Sequence, residues 1–203
     1  MVPLDYEALV QTYQSTFDNA REDLEEVAKH LTKAKGQGIV DILEQITELL
    51  QRIQSASVTP KLEIEVARSI ARDYDTIGQR WQELERYFLE QVQYDDYVYR
   101  SDEDRAEAAE QALTTIRDQT LQALEVAGTM FGLAREWRRA AKSFSTVVQA
   151  RKAEDNPLAA LPAIIREYRC YEELEDASQV LNIGRAIQRL LSSISAPLSE
   201  NNQ

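Results

Sequence analysis

Apolar residues recur along this chain in alternating steps of four and three, the period that lines one face of a helix packed against another helix. From Leu4 to Lys35 the stripe is Tyr6, Val10, Tyr13, Phe17, Ala20, Leu24, Val27 and Leu31. Lys29, His30, Lys33 and Lys35 place cations near its end, which suits the negative pole of a helix, and Gly36 is placed to take the left-handed conformation after it. A second stripe reads Ile39, Leu43, Ile46, Leu50 and Ile53. Its phase is shifted by one residue from the first, so the pattern predicts a helical hairpin that turns at Gly36-Gln37-Gly38. A third helix is expected to start with Thr59 as cap and Pro60 in its first turn. It carries Ala67, Ile70, Tyr74, Ile77, Trp81, Leu84 and Phe88 and runs into the nineties.

Ser101 and Asp104 resemble a capping box and open the longest pattern, from Ala106 through Leu113, Ile116, Ala123, Ala127, Met130, Ala134, Trp137 and Phe144 to Val148. As one helix this segment is about 75 Å long at about 1.5 Å per residue, with Gly128 and Gly132 as the expected kink sites. Between Leu121 and Ala134 it is apolar nearly all round, which predicts burial on more than one side. Asn156-Pro157 starts a fifth helix with Leu158, Leu161, Ile165 and Tyr168, and a sixth carries Val180, Ile187, Leu191 and Ile194. These two short helices are expected to cover the second stripe. No internal repeat of solenoid length is visible in the sequence. The fold class expected is all-α: an elongated antiparallel helical bundle with coiled-coil-like packing, forming one domain over residues 1–194, with a flexible tail at 195–203.

Composition narrows the function. Six Gly and five Pro in 203 residues are too few for the turns of an all-β protein, and 43% apolar residues are too many for a disordered one. The longest uncharged runs reach about half of the roughly 18 residues of a membrane span, and Met1 to Asp5 lacks a basic and apolar leader, so a cytoplasmic location is expected. Chemistry-bearing groups are scarce. Glu-x-x-His, the signature of carboxylate metal sites in helical bundles, does not occur, and the heptad places Glu22, Glu25, Glu26, Asp41, Glu44, Glu48, Asp118, Glu125 and Glu136 outward. Every carboxylate is therefore expected in solvent, with no metal and no cofactor. Lys35-Gly36-Gln37-Gly38 has neither the preceding strand nor the lysine position of a phosphate loop. His30 reads as a helix-end cation and Cys170 as an inert packed thiol.

Charge is distributed unevenly. The net charge is -12, yet Arg135, Arg138, Arg139, Lys142, Arg151 and Lys152 face a single acid, Glu136, between positions 135 and 152. Between Glu83 and Glu110, ten acids oppose three arginines. Arg135, Arg138, Arg139 and Lys142 are expected to share one outward face. Tyr94, Asp95, Asp96, Tyr97 and Tyr99 form a second candidate, since tyrosine pairs a large contact area with a polar tip. Both point to docking of another protein, either an acidic partner or a second copy of this chain. The reading is a non-catalytic scaffold, adaptor or accessory subunit. Two alternatives follow it: a ligand-binding or enzymatic bundle with a dispersed polar site, and a membrane or nucleic-acid binder using the basic face at 135–152. The overall negative charge opposes the last, because it repels polyanions at long range.

Overall fold

The computed structural model describes residues 6–56, 63–92, 103–153 and 157–195, and these are helical with no strand among them. Seven α-helices follow in order: α1 (Tyr6–Lys29), α2 (Lys33–Ala56), α3 (Ile64–Tyr87), α4 (Glu103–Leu133), α5 (Trp137–Ala153), α6 (Leu161–Glu173) and α7 (Ala177–Ser195). A single π-helical turn, Phe88–Val92, extends α3, and a 3-10 turn, Pro157–Ala160, precedes α6. No helix among the described residues is long and apolar enough to cross a membrane.

Side-chain pairs fix the directions of the helices. Gln14 meets Gln54, Arg21 meets Thr47, and Gly36 abuts Ala28, so α1 and α2 run antiparallel. Arg52 pairs with Asp73 while Gly38 abuts Tyr87, which reverses α3 against α2. Glu85 pairs with Arg117, and Arg68 with Glu136 just beyond the end of α4, so α3 and α4 are antiparallel as well. The whole stripe of α3, from Ala67 to Phe88, is buried as its spacing predicts. Tyr13 and Tyr74 meet edge to face at 5.2 Å between ring centres, Phe17 and Trp81 at 6.1 Å, and Trp81 Nε1 donates to Tyr13 Oη at 2.9 Å. Apolar burial and a satisfied polar tip thus coincide at one crossing.

A second, smaller core lies on the other side of α4. Leu121 and Leu124 pack there with Val147 and Val148 of α5 and with Ala160, Ala163 and Ile164. The all-round apolar stretch of α4 is therefore shared by two cores, and α6 covers part of its outer side.

Three expectations about turns are overturned. The first hairpin turns at His30 to Thr32, where the His30 and Leu31 amides donate to Val27 and Ala28, and the Gly36 amide donates to Thr32 inside α2. Gly36 is a contact residue: a Cβ there would lie 2.5 Å from the Ala28 carbonyl oxygen. Next, α3 begins at Ile64 after an extended Glu63 that makes no side-chain cap; Thr59 and Pro60 lie outside the described residues, as do Ser101 and Asn156. Finally, the long fourth helix breaks at neither expected glycine. It ends at Leu133, about 46 Å from its start, and the chain turns through Arg135, whose φ is 60°.

That corner has a counterpart forty positions later. Glu136 donates its amide to Phe131 and Arg135 to Gly132, at 2.8 and 3.0 Å; Asp176 donates to Tyr171 and Glu175 to Glu172, at 3.1 and 3.0 Å. Both are Schellman closures, and both place a charged residue, not glycine, in the left-handed position, with φ of 60° at Arg135 and 55° at Glu175. The structure therefore contains two helical hairpins of one construction where the sequence shows no repeat. The residue types diverge, and the backbone bonds that define the corner leave no letter pattern.

Two glycines at helix–helix contacts, Gly36 between α1 and α2 and Gly184 between α6 and α7, carry opposed expectations. Gly36→Ala gains helix propensity of about 1 kcal/mol but collides with backbone, so net destabilisation of about 1–3 kcal/mol is expected in urea unfolding. At Gly184 the nearest neighbour of an added Cβ is the Tyr168 ring at 3.7 Å, an ordinary contact. Gly184→Ala should therefore stabilise by about 0.5–1 kcal/mol in the same assay.

Candidate protein-docking surface

The α4–α5 corner gathers most of the cations that the sequence singled out. Leu133 ends α4, Ala134 is buried, and Arg135 occupies the left-handed position with its side chain exposed. Glu136 is held from two sides: by Arg68 of α3 at 2.5 Å and by Arg139 of α5 at 2.9 Å. The Arg139 guanidinium also stands 5.6 Å from the centre of the Phe131 ring. The single acid in the basic segment thus clamps α3, the corner and α5 together.

The four cations do not share one helical face. Arg135 belongs to the turn, and Arg139 is committed to Glu136 and Phe131. Arg138 and Lys142 lie one turn apart on α5, both exposed, and together with Arg135 they have no ion-pair partner among the described residues. Leu133, the last residue of α4, is 42% exposed. Ile64, one turn before Arg68 on α3, is 44% exposed. The corner therefore exposes cations, with apolar side chains exposed at the end of α4 and at the start of α3, a chemistry suited to an acidic segment with an apolar anchor. Arg151, assigned to the same basic run, pairs instead with Asp118 of α4 at 3.4 Å. Tyr94, Asp95, Asp96, Tyr97 and Tyr99 lie outside the described residues.

The expectation that every carboxylate faces solvent fails twice. Asp73 is 7% exposed and Glu167 is 9% exposed. Arg52 holds Asp73 through two hydrogen bonds, Nε to Oδ2 at 3.0 Å and Nη2 to Oδ1. Glu167, on α6, takes a hydrogen bond from Ser145 of α5, and burial raises its pKa despite that bond and the Lys152 charge. Asp73 adjoins the seam residue Tyr74, and Glu167 adjoins Tyr168 of the expected α6 stripe, of which Leu158 and Ile165 are exposed while Ala160, Ala163, Ile164, Glu167 and Cys170 are buried. Residues flanking a stripe become buried wherever a third helix packs there, which a single-helix period does not reveal.

These buried polar groups are spread out, and each has a local occupation. The Thr120 hydroxyl donates to the Ile116 carbonyl, and the Ser143 hydroxyl to that of Arg139. Gln119 Oε1 is the exception, buried and accepting no hydrogen bond among the described residues. Cys170 is buried, and desolvation with the nearby Glu167 charge pushes its thiol up to about 11. A thiol so placed is a poor nucleophile at neutral pH. No group of three His, Cys, Asp or Glu side chains able to hold a metal occurs among the described residues.

Two stability measurements test this geometry. Arg135→Gly removes the cost of a side chain in the left-handed region and should stabilise the fold by about 1 kcal/mol. Glu167 has a folded pKa raised above its unfolded value, so folding favours its protonated form; its contribution is most favourable below the unfolded pKa and is lost as pH rises through the folded one. Glu167→Gln should therefore gain stability relative to the unsubstituted protein as pH rises from about 4 to 7. A gap between the two proteins that does not change with pH would contradict the assignment.

Comparison of the chain with protein-family models, with curated proteins and with solved structures finds no match.

Proposed function

We propose that this protein is a non-catalytic interaction module of the cytoplasm, a scaffold, adaptor or accessory subunit, and that its α4–α5 corner docks an acidic segment of another protein. The body that presents the corner is read as an elongated antiparallel bundle with coiled-coil-like seams. The steps of four and three from Val10 to Leu24 in α1, from Ile39 to Ile53 in α2 and from Ala67 to Phe88 in α3, all falling on buried side chains, support that reading.

One observation carries the docking reading. Arg135, Arg138 and Lys142 stand exposed without a carboxylate partner among the described residues, at a corner that also exposes Leu133, on a chain whose net charge is -12. A protein so acidic has no shortage of carboxylates to neutralise its own cations, and it leaves these unused. Arg135 adds to the argument, because a non-glycine residue is kept where glycine would cost less. The non-catalytic part rests on the local bonding of the buried polar groups: Asp73, Thr120, Ser143 and Glu167 are each tied to a neighbour and do not converge on one point.

The test reverses the two unpaired helix cations and leaves Arg139 intact, since Arg139 also supports the corner. Arg138→Glu/Lys142→Glu should keep the helical content and unfolding midpoint, yet weaken capture of the native partner at least about tenfold at low salt, since each rim pair is worth up to about 1 kcal/mol. A photoreactive amino acid in place of Lys142 should cross-link to an acid-rich peptide of that partner. The reading fails if the double variant retains the same partners with the same salt dependence, or if the cross-links go to nucleic acid.

A further inference from the structure

Resting on the docking role of the α4–α5 corner, we propose that this corner also takes up the α6–α7 corner of a second copy of the chain, so that two copies dock end to end. Both corners lie at one end of the molecule. Asp118 pairs with Arg151 and Gly128 abuts the Phe144 ring, so α4 and α5 run antiparallel; Phe144 in turn meets Arg166, and Val148 packs with Ile164, so α6 reverses again. Hence α4 and α6 point the same way. Glu125 of α4 stands 3.7 Å from Arg166 of α6, which sets their register. From that contact α4 runs about 12 Å to Leu133 and α6 about 10 Å to Glu173, at about 1.5 Å per residue. The two corners are therefore level.

They are also equivalent in construction and opposite in charge. Besides the shared closure, a glycine faces a ring inside each hairpin, Gly128 with Phe144 in the first and Tyr168 with Gly184 in the second, the same positions forty residues on with the partners exchanged. Arg135 thus corresponds to Glu175. The first corner presents Arg135, Arg138 and Lys142, whereas the second carries Glu172, Glu173, Glu175 and Asp176, all exposed and with no base between them. Asp176 accepts the Gln179 amide, and Glu172 stands against the Tyr168 hydroxyl. Glu173 and Glu175 remain, without an ion-pair partner among the described residues. Nor does any ion pair join the two corners within one chain among those residues.

An end face with a basic half beside an acidic half is complementary to itself. A twofold axis lying in the interface, between the corners and at right angles to the line joining them, sets basic on acidic twice over. Arg135 is then directed at Glu175 of the partner subunit, and Glu175 at Arg135 of the partner subunit. An acidic peptide would use one half of this face and be repelled by the other. A second copy uses both.

The distribution of the remaining charge favours the same arrangement. Each copy carries a net charge of -12, which opposes association at long range. The acids Glu83, Glu85, Glu90, Glu107 and Glu110 lie toward the opposite end of the bundle, since α3 ends where α4 begins. End-to-end docking through the corners keeps these acid-rich poles farthest apart, several Debye lengths at about 0.1 M salt. Two corners offer less than the roughly 800 Å² per partner of a standard interface, and exposed ion pairs are individually weak, which places the dimer in the micromolar to submillimolar range.

Sedimentation velocity on the full chain, from micromolar to submillimolar concentration, measures the association at about 0.1 M and about 1 M salt. The expected result is a monomer–dimer equilibrium at the lower salt that weakens at least about tenfold at the higher. Arg138→Glu/Lys142→Glu makes the end face acidic throughout, and Glu173→Lys/Glu175→Lys makes it basic throughout. Each variant alone should associate at least about tenfold more weakly, with helical content and unfolding midpoint unchanged because all four side chains are exposed. An equimolar mixture of the two variants should associate at least as tightly as the unsubstituted chain, since both contacts are then complementary. A chain that stays monomeric at both salts, a dimer that neither variant weakens, or a mixture that does not associate overturns the inference. Capture of the native acidic partner separates this result from the docking reading. If Arg138→Glu/Lys142→Glu loses that partner while the unsubstituted chain is monomeric, docking stands and self-association falls. If the mixture associates while partner capture is unchanged in that variant, self-association stands and the docking reading alone falls.

Discussion

The fold depends on burying one stripe of α3. From Ala67 to Phe88 every residue of that stripe is withdrawn from water, and α1, α2 and α4 all reach it. Fully burying a large apolar side chain is worth about 1.5–3 kcal/mol, and here seven positions in a row are buried. Trp81 anchors the arrangement because its indole nitrogen needs a partner once the ring is buried, and the Tyr13 hydroxyl supplies it from α1. That hydroxyl is itself desolvated, and its pKa is driven well above the usual tyrosine value. The crossing of α1 and α3 is thereby specified by one polar bond inside an otherwise apolar contact, which fixes the register more sharply than packing alone.

How much of this is legible in the sequence depends on whether the information is periodic. The stripes of α2 and α3 could be read residue by residue, and that of α1 from Val10 to Leu24, after which Ala28 and not Val27 is buried, because a helix packed along its whole length must repeat every three or four positions. The corners could not. The turn at His30 to Thr32 carries no glycine, and the two left-handed residues are an arginine and a glutamate, so the usual marker for a helix end pointed to the wrong places. Gly36, read as the turn, serves contact with Ala28; Gly128, read as a kink site, faces the Phe144 ring, which an added Cβ would approach to 2.9 Å. Contact and turning are two different uses of a missing side chain, and a sequence does not say which applies. The first break leaves no mark in the stripe, because Ala134, Trp137, Ala141 and Phe144 keep the steps of three and four across the corner.

At the α4–α5 corner legibility was partial for a related reason. The cations were visible as a cluster in sequence, but their division into a structural pair and an exposed set depends on Glu136, which reaches both α3 and α5. Arg139 is held by that acid and by Phe131, so its charge is largely used within the fold. Arg138 and Lys142, with the same composition in their neighbourhood, are left to solvent. Identical residue types at adjacent positions, Arg138 and Arg139, thus have different roles, decided by which of them the corner turns toward Glu136.

The sharing of α4 between two cores orders how the molecule comes apart. None of the side chains of α7 from Ala177 to Ser192 is fully buried, whereas α3 and the middle of α4 are sealed from water. Local opening free energies follow burial, so α7 is the unit that detaches first, and amide exchange along it should report an opening far cheaper than global unfolding. Its departure uncovers only Ile183, Ile187 and Leu190 and the small core beneath them, while the aromatic crossing of α1 and α3 stays intact. The chain is in this sense two cooperative units of unequal strength, and proteolysis in the cell would meet the weaker one first.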